Sequence, residues 1–311
     1  MSKERMVWGV SLASFIVFWL LIPKMTTPYI LSIMLNIALS IALAGSWNII
    51  SGFTGYVSFG HVAFYGVGAY TAAILITRFG WHWFPTSLLG GGTAIALSLL
   101  IGYPCLRLKG PYFAIAMLGL SETVRIIAQV WASLTGGGSG LSLPPVRDII
   151  PTYYVMGFSA LAVVMITSLL ANSKFGLKLM AIREDETAAE TMGIHTTRCK
   201  LLAFMLSAFF PGVVGGFHAW HLSYIDPITV FDVLKTIQMI IMTMFGGAGT
   251  VLGPVIGAVF LNLLSEVLWA RFAFAHQAIY GALIVVVVIF MPGGVISLLR
   301  DYKLIPMTRK I

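Results

Sequence analysis

K-F-G-L-K-L-M-A-I-R-E-D-E-T-A-A-E-T-M-G-I-H-T-T-R-C-K, from Lys174 to Lys200, is the stretch that decides how the rest of the chain is read. The chain has 19 basic and 11 acidic residues, and nine of those thirty charges fall here: Lys174, Lys178, Arg183, Glu184, Asp185, Glu186, Glu190, Arg198 and Lys200. The flanks are apolar or small. A charge at the centre of a bilayer costs roughly 2.5–3.5 kcal/mol on insertion scales, so this island belongs in water. Its Ala, Leu, Met and Glu content favours helix. Asp185 to Glu190 is expected to form a short exposed helix, with Gly193 as the stop that a C-terminal glycine provides.

Hydrophobic residues make up 59% of the chain and charged residues 10%, against about 25% charged in an ordinary soluble domain. The composition therefore predicts an all-α polytopic membrane protein, a single transmembrane domain over residues 1–311 with 174–200 as its aqueous loop. The net charge of +8 does not point to nucleic acid, because the basic residues punctuate hydrophobic runs instead of clustering on one face. Cys105 and Cys199 lie beside basic segments expected in the cytoplasm, which disfavours a disulfide, and neither has metal-ligand spacing.

A span needs about 20 apolar residues, and the pattern gives ten: 6–22, 29–50, 57–76, 85–103, 111–131, 153–171, 201–224, 232–249, 250–270 and 276–290. Lys3 and Arg5 before the first run imitate a signal peptide, but no small-residue cleavage site follows, so it is read as a retained span. Residues 135–151 are rich in glycine and proline and read as a loop. The eighth span is short, tilted or re-entrant. Pro211, Gly212, Gly215 and Gly216 predict a kink or close contact in the seventh. Ten crossings place Lys3/Arg5, Arg107/Lys109, the 174–200 island and the tail (Arg300, Lys303, Arg309, Lys310) on one side, satisfying the positive-inside rule with both termini cytoplasmic. Arg78 is the discordant charge.

Glycines break the chain in both halves, at 52–68 and 246–257, a pattern that points to a translocation path in repeat-built transporters. The path candidates are Asn48, Gly52, Gly55, His61, Glu122 and Arg125. His61 reads equally as a packed or hydrogen-bonded side chain. Glu122 and Arg125, three apart within the fifth span, form either a functional site or a structural ion pair. Gly249, Gly253 and Gly257 carry small-xxx-small spacing, which suits close helix packing within the subunit or between subunits. His218, His221 and Asp226 suggest a metal less well than an aromatic interfacial belt with Phe217, Trp220 and Tyr224, so no metal site is expected. No Gly-Lys dipeptide occurs, hence no Walker A loop, and H-E-x-x-H and G-x-S-x-G are missing too. The chain is not expected to be an enzyme or to bind a cofactor.

Several runs resemble the branched-chain amino acid permeases of ATP-driven (ABC) importers. They are N-I-I-S-G-F-T-G-Y-V-S-F-G-H-V-A-F-Y-G-V-G-A-Y-T-A-A (Asn48–Ala73), L-R-L-K-G-P-Y-F-A-I-A-M-L-G-L-S-E (Leu106–Glu122), A-I-R-E-D-E-T-A-A-E-T-M-G-I and G-G-A-G-T-V-L-G-P-V-I-G-A. Together they cover roughly residues 45–295 and look like the LivM-type subunit more than its LivH-type sister. Pro211 and Pro111 depart from the family pattern. The resemblance implies a ten-helix, type II importer-like bundle in a bacterial or archaeal inner membrane. It implies a sister permease of LivH type, two ATPase subunits that carry ATP and Mg, and an extracytoplasmic binding protein. It makes Arg183, Glu184, Asp185, Glu186, Ala188, Ala189, Glu190 and Gly193 a coupling helix that docks on an ATPase and drives alternating access. Leucine, isoleucine and valine are the implied substrates, with urea, short amides and other amino acids as alternatives. A proton-coupled carrier using Glu122 is the rival mechanism.

Overall fold

The computed structural model describes residues 26–271 without a break, together with 19, 22, 23, 281, 282, 285 and 294–301. The first and tenth expected spans, and the basic residues near both ends, lie largely outside the described residues. Eight helical segments within them are long and apolar enough to cross a membrane, and they correspond to the second through ninth expected spans.

Helix α1 (Pro28–Trp47) opens on a proline, whose missing N–H costs nothing at a helix start, and runs into a π-helical turn at Asn48–Gly52. Then come α2 (His61–Phe79), α3 (Trp83–Cys105), α4 (Pro111–Val130) and α5 (Ile150–Ala171). The charged island supplies α6 (Lys174–Glu184) and α7 (Glu186–Thr191) before α8 (Thr196–Leu222) re-enters the bundle. A single turn at Pro227–Val230 leads to α9 (Val233–Gly246), and α10 (Gly253–Arg271) follows. A short helix at Gly294–Asp301 lays Ile296 against the core.

Helix α8 is the axis of the bundle, flanked along its length by α2 and α3. Two-thirds of its best apolar window is buried (67%), against 22% for α4, so α4 is peripheral and turns Tyr112, Ile115, Ile126 and Val130 outward. The axis is unbroken through Pro211; its glycines serve close contact. A Cβ on Gly212 would lie 2.6 Å from both the Gly90 carbonyl oxygen and the Ala94 Cβ, and one on Gly216 would lie 2.8 Å from Ser87. Small residues of this kind let helix backbones meet where lipid offers no competing hydrophobic drive. Aromatic side chains fill the space around them: Phe64 and Phe113 both meet Phe204 edge-to-face.

Two expectations change, those for the 135–151 loop and for the spaced glycines, while the eighth span is short as expected. The 135–151 loop is not structureless: Leu141–Ser142 pairs antiparallel with Tyr224–Ile225, tying the end of α8 to the loop after α4. Two-residue strands carry no alternation for a sequence to show. Helix α9 has 14 residues, about 21 Å, short of the roughly 30 Å hydrocarbon core; the apolar segment reaches 20 residues only with the Pro227–Val230 turn. Finally, Gly249, Gly253 and Gly257 do not share one helix face. Gly249 sits in the loop before α10 with φ 81°, while a Cβ on Gly253 would strike the Gly247 carbonyl and one on Gly257 the Met242 carbonyl of α9. This glycine packing is internal to the chain.

Gly212→Val should be poorly tolerated, because its branches would push α8 off α3. Overpacking of this kind typically costs about 1–3 kcal/mol, read as a lower thermal midpoint in detergent, whereas Gly119→Val, in open space on α4, should change little.

Candidate functional site

Helices α6 and α7 form an elbow at the charged end of the bundle. The expected short helix over Asp185–Glu190 is α7, set off from α6 at Asp185, whose φ of −157° and ψ of 113° are extended. Asp185 caps α7: its Oδ1 accepts from the amides of Thr187 (2.8 Å) and Ala188 (3.0 Å). At the other end Gly193 takes φ 82°, and the amides of Gly193 and Ile194 donate to the carbonyls of Glu190 and Ala189. That double closure is a Schellman cap, which a left-handed glycine makes cheap. Six helical residues are too few to hold together alone, so the caps and the contacts beneath define the unit.

The elbow has two faces. Ala189 is buried and Glu186 half-buried, so α7 is not exposed all round as its sequence suggested. Arg183, Glu184, Asp185, Ala188, Glu190 and Gly193 are exposed, as is Met192 at 84%. Beneath them lies Lys200, 1% exposed. Its Nζ donates to Glu186 Oε1 (2.6 Å), Tyr56 Oη (2.8 Å) and the Leu106 carbonyl (2.9 Å), and it lies 4.3 Å from the centre of the Tyr56 ring. Tyr56 in turn donates its hydroxyl to Glu186 Oε2 at 2.5 Å. Burial alone would push the Glu186 carboxyl up, but hydrogen bonds from Lys200 and Tyr56 and the charges of Lys200 and Lys109 hold it below its ordinary 4.5. Burial and the same carboxylate push the Tyr56 hydroxyl well up, so it stays a donor. Glu190 Oε1 accepts from Thr196 Oγ1 at 2.5 Å, closing the turn into α8.

A second tie leaves α6. The Arg183 guanidinium donates to the Gly52 carbonyl (2.7 Å) at the end of the π turn and lies against Gly249, where a Cβ would strike it. Asn48 bridges the two chain halves: its Oδ1 accepts from the Gly249 amide (2.8 Å) and its Nδ2 donates to the Thr250 carbonyl (2.8 Å). The glycine-broken stretches of both halves thus meet each other and the charged island at one point, and a Cβ on Gly55 would lie 3.3 Å from the Arg183 Cγ.

The remaining path candidates lie elsewhere. His61 is buried with Nδ1 3.0 Å from Ser58 Oγ, edge-on to Phe64 and Phe204. Glu122 and Arg125 form an i,i+3 ion pair at 2.6 Å, both partly exposed on peripheral α4. His218 bonds Tyr65 through its ring nitrogen. Sequence reasoning passed over Tyr56 and Lys200 as partners of Glu186, and it passed over two further charges within spans, Lys235 of α9 and Glu266 of α10. The latter pair was legible as charges in apolar runs; Glu266 accepts a hydrogen bond from Tyr29 of α1.

Residues 29–291 match the family model for the permease component of branched-chain amino acid transport systems. The high-affinity branched-chain amino acid permease protein LivM of Salmonella typhimurium is 29% identical over 81% of the chain, and that of Escherichia coli 28% over the same share. The chain spans 66% of the length of each. The LivH permease protein of Escherichia coli is 24% identical over 82% of the chain and 90% of its own length. No solved structure matches significantly.

Because the folded-state pKa of Glu186 is depressed, its contribution to stability is full above the ordinary carboxylate value and is lost as pH falls from there through the lower folded-state value. Amide protection over residues 186–193 should hold between roughly pH 6 and 8 and drop below about pH 4.5; Glu186→Gln should flatten the acid dependence. Lys200→Met strands Glu186 and should loosen the elbow by about 3 kcal/mol, measured by hydrogen exchange.

Proposed function

The chain belongs to the family of branched-chain amino acid transport permeases, and from that premise we propose that it is the LivM-type membrane subunit of an ATP-driven importer in the cytoplasmic membrane. In this reading a binding protein delivers leucine, isoleucine or valine from outside. A LivH-type sister completes the path, and two ATPase subunits hold the ATP and Mg. The observation that carries it is the two-faced elbow. Its outer face offers exposed charge and the Met192 side chain to a soluble partner, and its inner face is locked to the bundle. A solvated loop helix without a partner has no need of a buried ion pair beneath it.

The lock suggests how docking acts on the membrane domain. Displacement of α7 is passed through Glu186 and Lys200 to the start of α8, the bundle axis. Displacement of α6 is passed through Arg183 to the π turn and to the loop before α10. A π turn and a glycine loop are places where backbone angles change at low cost. A partner that binds two orientations of the elbow unequally by a few kcal/mol is enough to shift the balance between outward- and inward-open states. Glu122, already paired with Arg125 on a peripheral helix, has no assigned step in this mechanism.

The chain, tagged and expressed with its native neighbours, should retain two P-loop ATPases and a second hydrophobic subunit on purification in mild detergent. Glu184→Lys with Ala188→Glu, on the exposed face, should lose the ATPases and keep the second membrane subunit. Recovery of the chain alone, under conditions that keep other importers whole, would overturn the importer reading. Glu122→Gln should leave most uptake intact, whereas a proton carrier using that carboxylate would lose accumulation.

A further inference from the structure

A charge within a span, Lys235, belongs neither to the elbow nor to a salt bridge among the described residues. Lys235 lies one turn into α9, within a segment that qualifies as a membrane span. A lysine there is costly and is ordinarily paired with a carboxylate or assigned a task. The two salt bridges among the described residues, Glu122–Arg125 and Glu186–Lys200, do not include it. Its ammonium group donates to the Thr229 carbonyl and lies 5.3 Å from the centre of the Tyr65 ring. The charges of Asp226 and Asp232 act on it from a distance, but their hydrogen bonds go elsewhere. Asp226 accepts from the amides of Ile228 and Thr229 and from the Thr229 hydroxyl, and Asp232 caps α9 by accepting from the Leu234 amide.

Lys235 also lines a narrow cleft between α1 and α9, with Tyr65 behind it. The cleft has two chemistries. Lys235, the exposed Gln238 amide and Ser40 supply polar groups, while Leu39, Leu43, Met239 and Met242 supply an apolar wall. Ser40 reaches on towards Asn262 of α10 (3.4 Å), so the polar strip crosses three helices. The cleft is partly open.

We propose that Lys235 receives the carboxylate of the transported α-amino acid, with Gln238 beside it, while the substrate's aliphatic side chain rests on Leu39, Leu43, Met239 and Met242. This rests on the importer reading above and deepens it by assigning a contact in the path. Among the described residues no carboxylate lies within salt-bridge distance of the Lys235 ammonium, so a substrate carboxylate can take that direct contact. The soft methionine and leucine surface accepts leucine, isoleucine and valine alike, since methionine adapts to shape. A neutral substrate such as urea makes no use of the ammonium. Affinity need only be modest, because a path must release what it admits.

The test uses the complete complex with its sister permease, ATPases and binding protein in proteoliposomes, and it measures labelled leucine uptake per ATP hydrolysed. Lys235→Met should lower that ratio about tenfold or more, the scale of a lost charged hydrogen bond, and Lys235→Arg should retain most of it. Lys235→Cys complexes, already assembled, should recover uptake when an aminoethyl thiol reagent restores the positive charge and not when a neutral methyl reagent is used; the wild-type complex treated identically is the control. Wild-type uptake in Lys235→Met, or no recovery on aminoethylation, would overturn the role of Lys235 and leave the importer reading standing. A wild-type complex that moves none of the three amino acids would instead overturn the substrate reading and this inference with it.

Discussion

Lys200 holds its ammonium group out of solvent at the point where the charged loop re-enters the bundle. An ion in that position is tolerable only if its donors are all used, and the three acceptors come from three separate parts of the chain: Glu186 on α7, Tyr56 after the π turn, and the Leu106 carbonyl at the end of α3. The same contact therefore neutralises a charge, fixes the elbow, and sets the registry of α8 against the segments beside it. Because one partner is a backbone carbonyl and another a tyrosine already bonded to the same carboxylate, the cluster cannot shift one member without disturbing the rest.

The bundle above this cluster combines stiffness with weak points. Where α8 meets α2 and α3, glycine against glycine leaves no room for a side chain, and helices so close move as one body. Deformable backbone lies at the elbow's own level: the π turn at Asn48–Gly52 and the loop before α10, bridged by Asn48 and touched by Arg183. Rigid helices joined through compliant turns are the usual anatomy of hinge motion. Here the turns are wired directly to the surface that a partner would move.

Much of the architecture was legible before any coordinates. Spans two to nine were recoverable because twenty consecutive apolar residues are a strong signal, and the charged island stood out against them. The cap residues Asp185 and Gly193 were also readable in part, since Gly193 announces a left-handed stop. The short strand pair joining 141–142 to 224–225 was not, because two residues carry no periodicity. The three spaced glycines misled, because spacing implies a common face only when all three lie on one helix, and Gly249 does not. Lys235 was overlooked within an apolar run although its charge was in plain view.

The sequence by itself determined what must be wet and what must be greasy, because the cost of a charge in hydrocarbon is local and depends on composition alone. It thereby set the number of described spans and the end of the bundle that carries the island, while its motifs carried the family. Only the tertiary structure decided partners. That Glu186 meets Lys200 and Tyr56, that Arg183 reaches Gly52, that Asn48 joins residues about two hundred positions away, and that Lys235 lines a cleft beside Tyr65 all follow from how helices pack. Packing is set by shape complementarity between surfaces distant in sequence, and no local pattern encodes it.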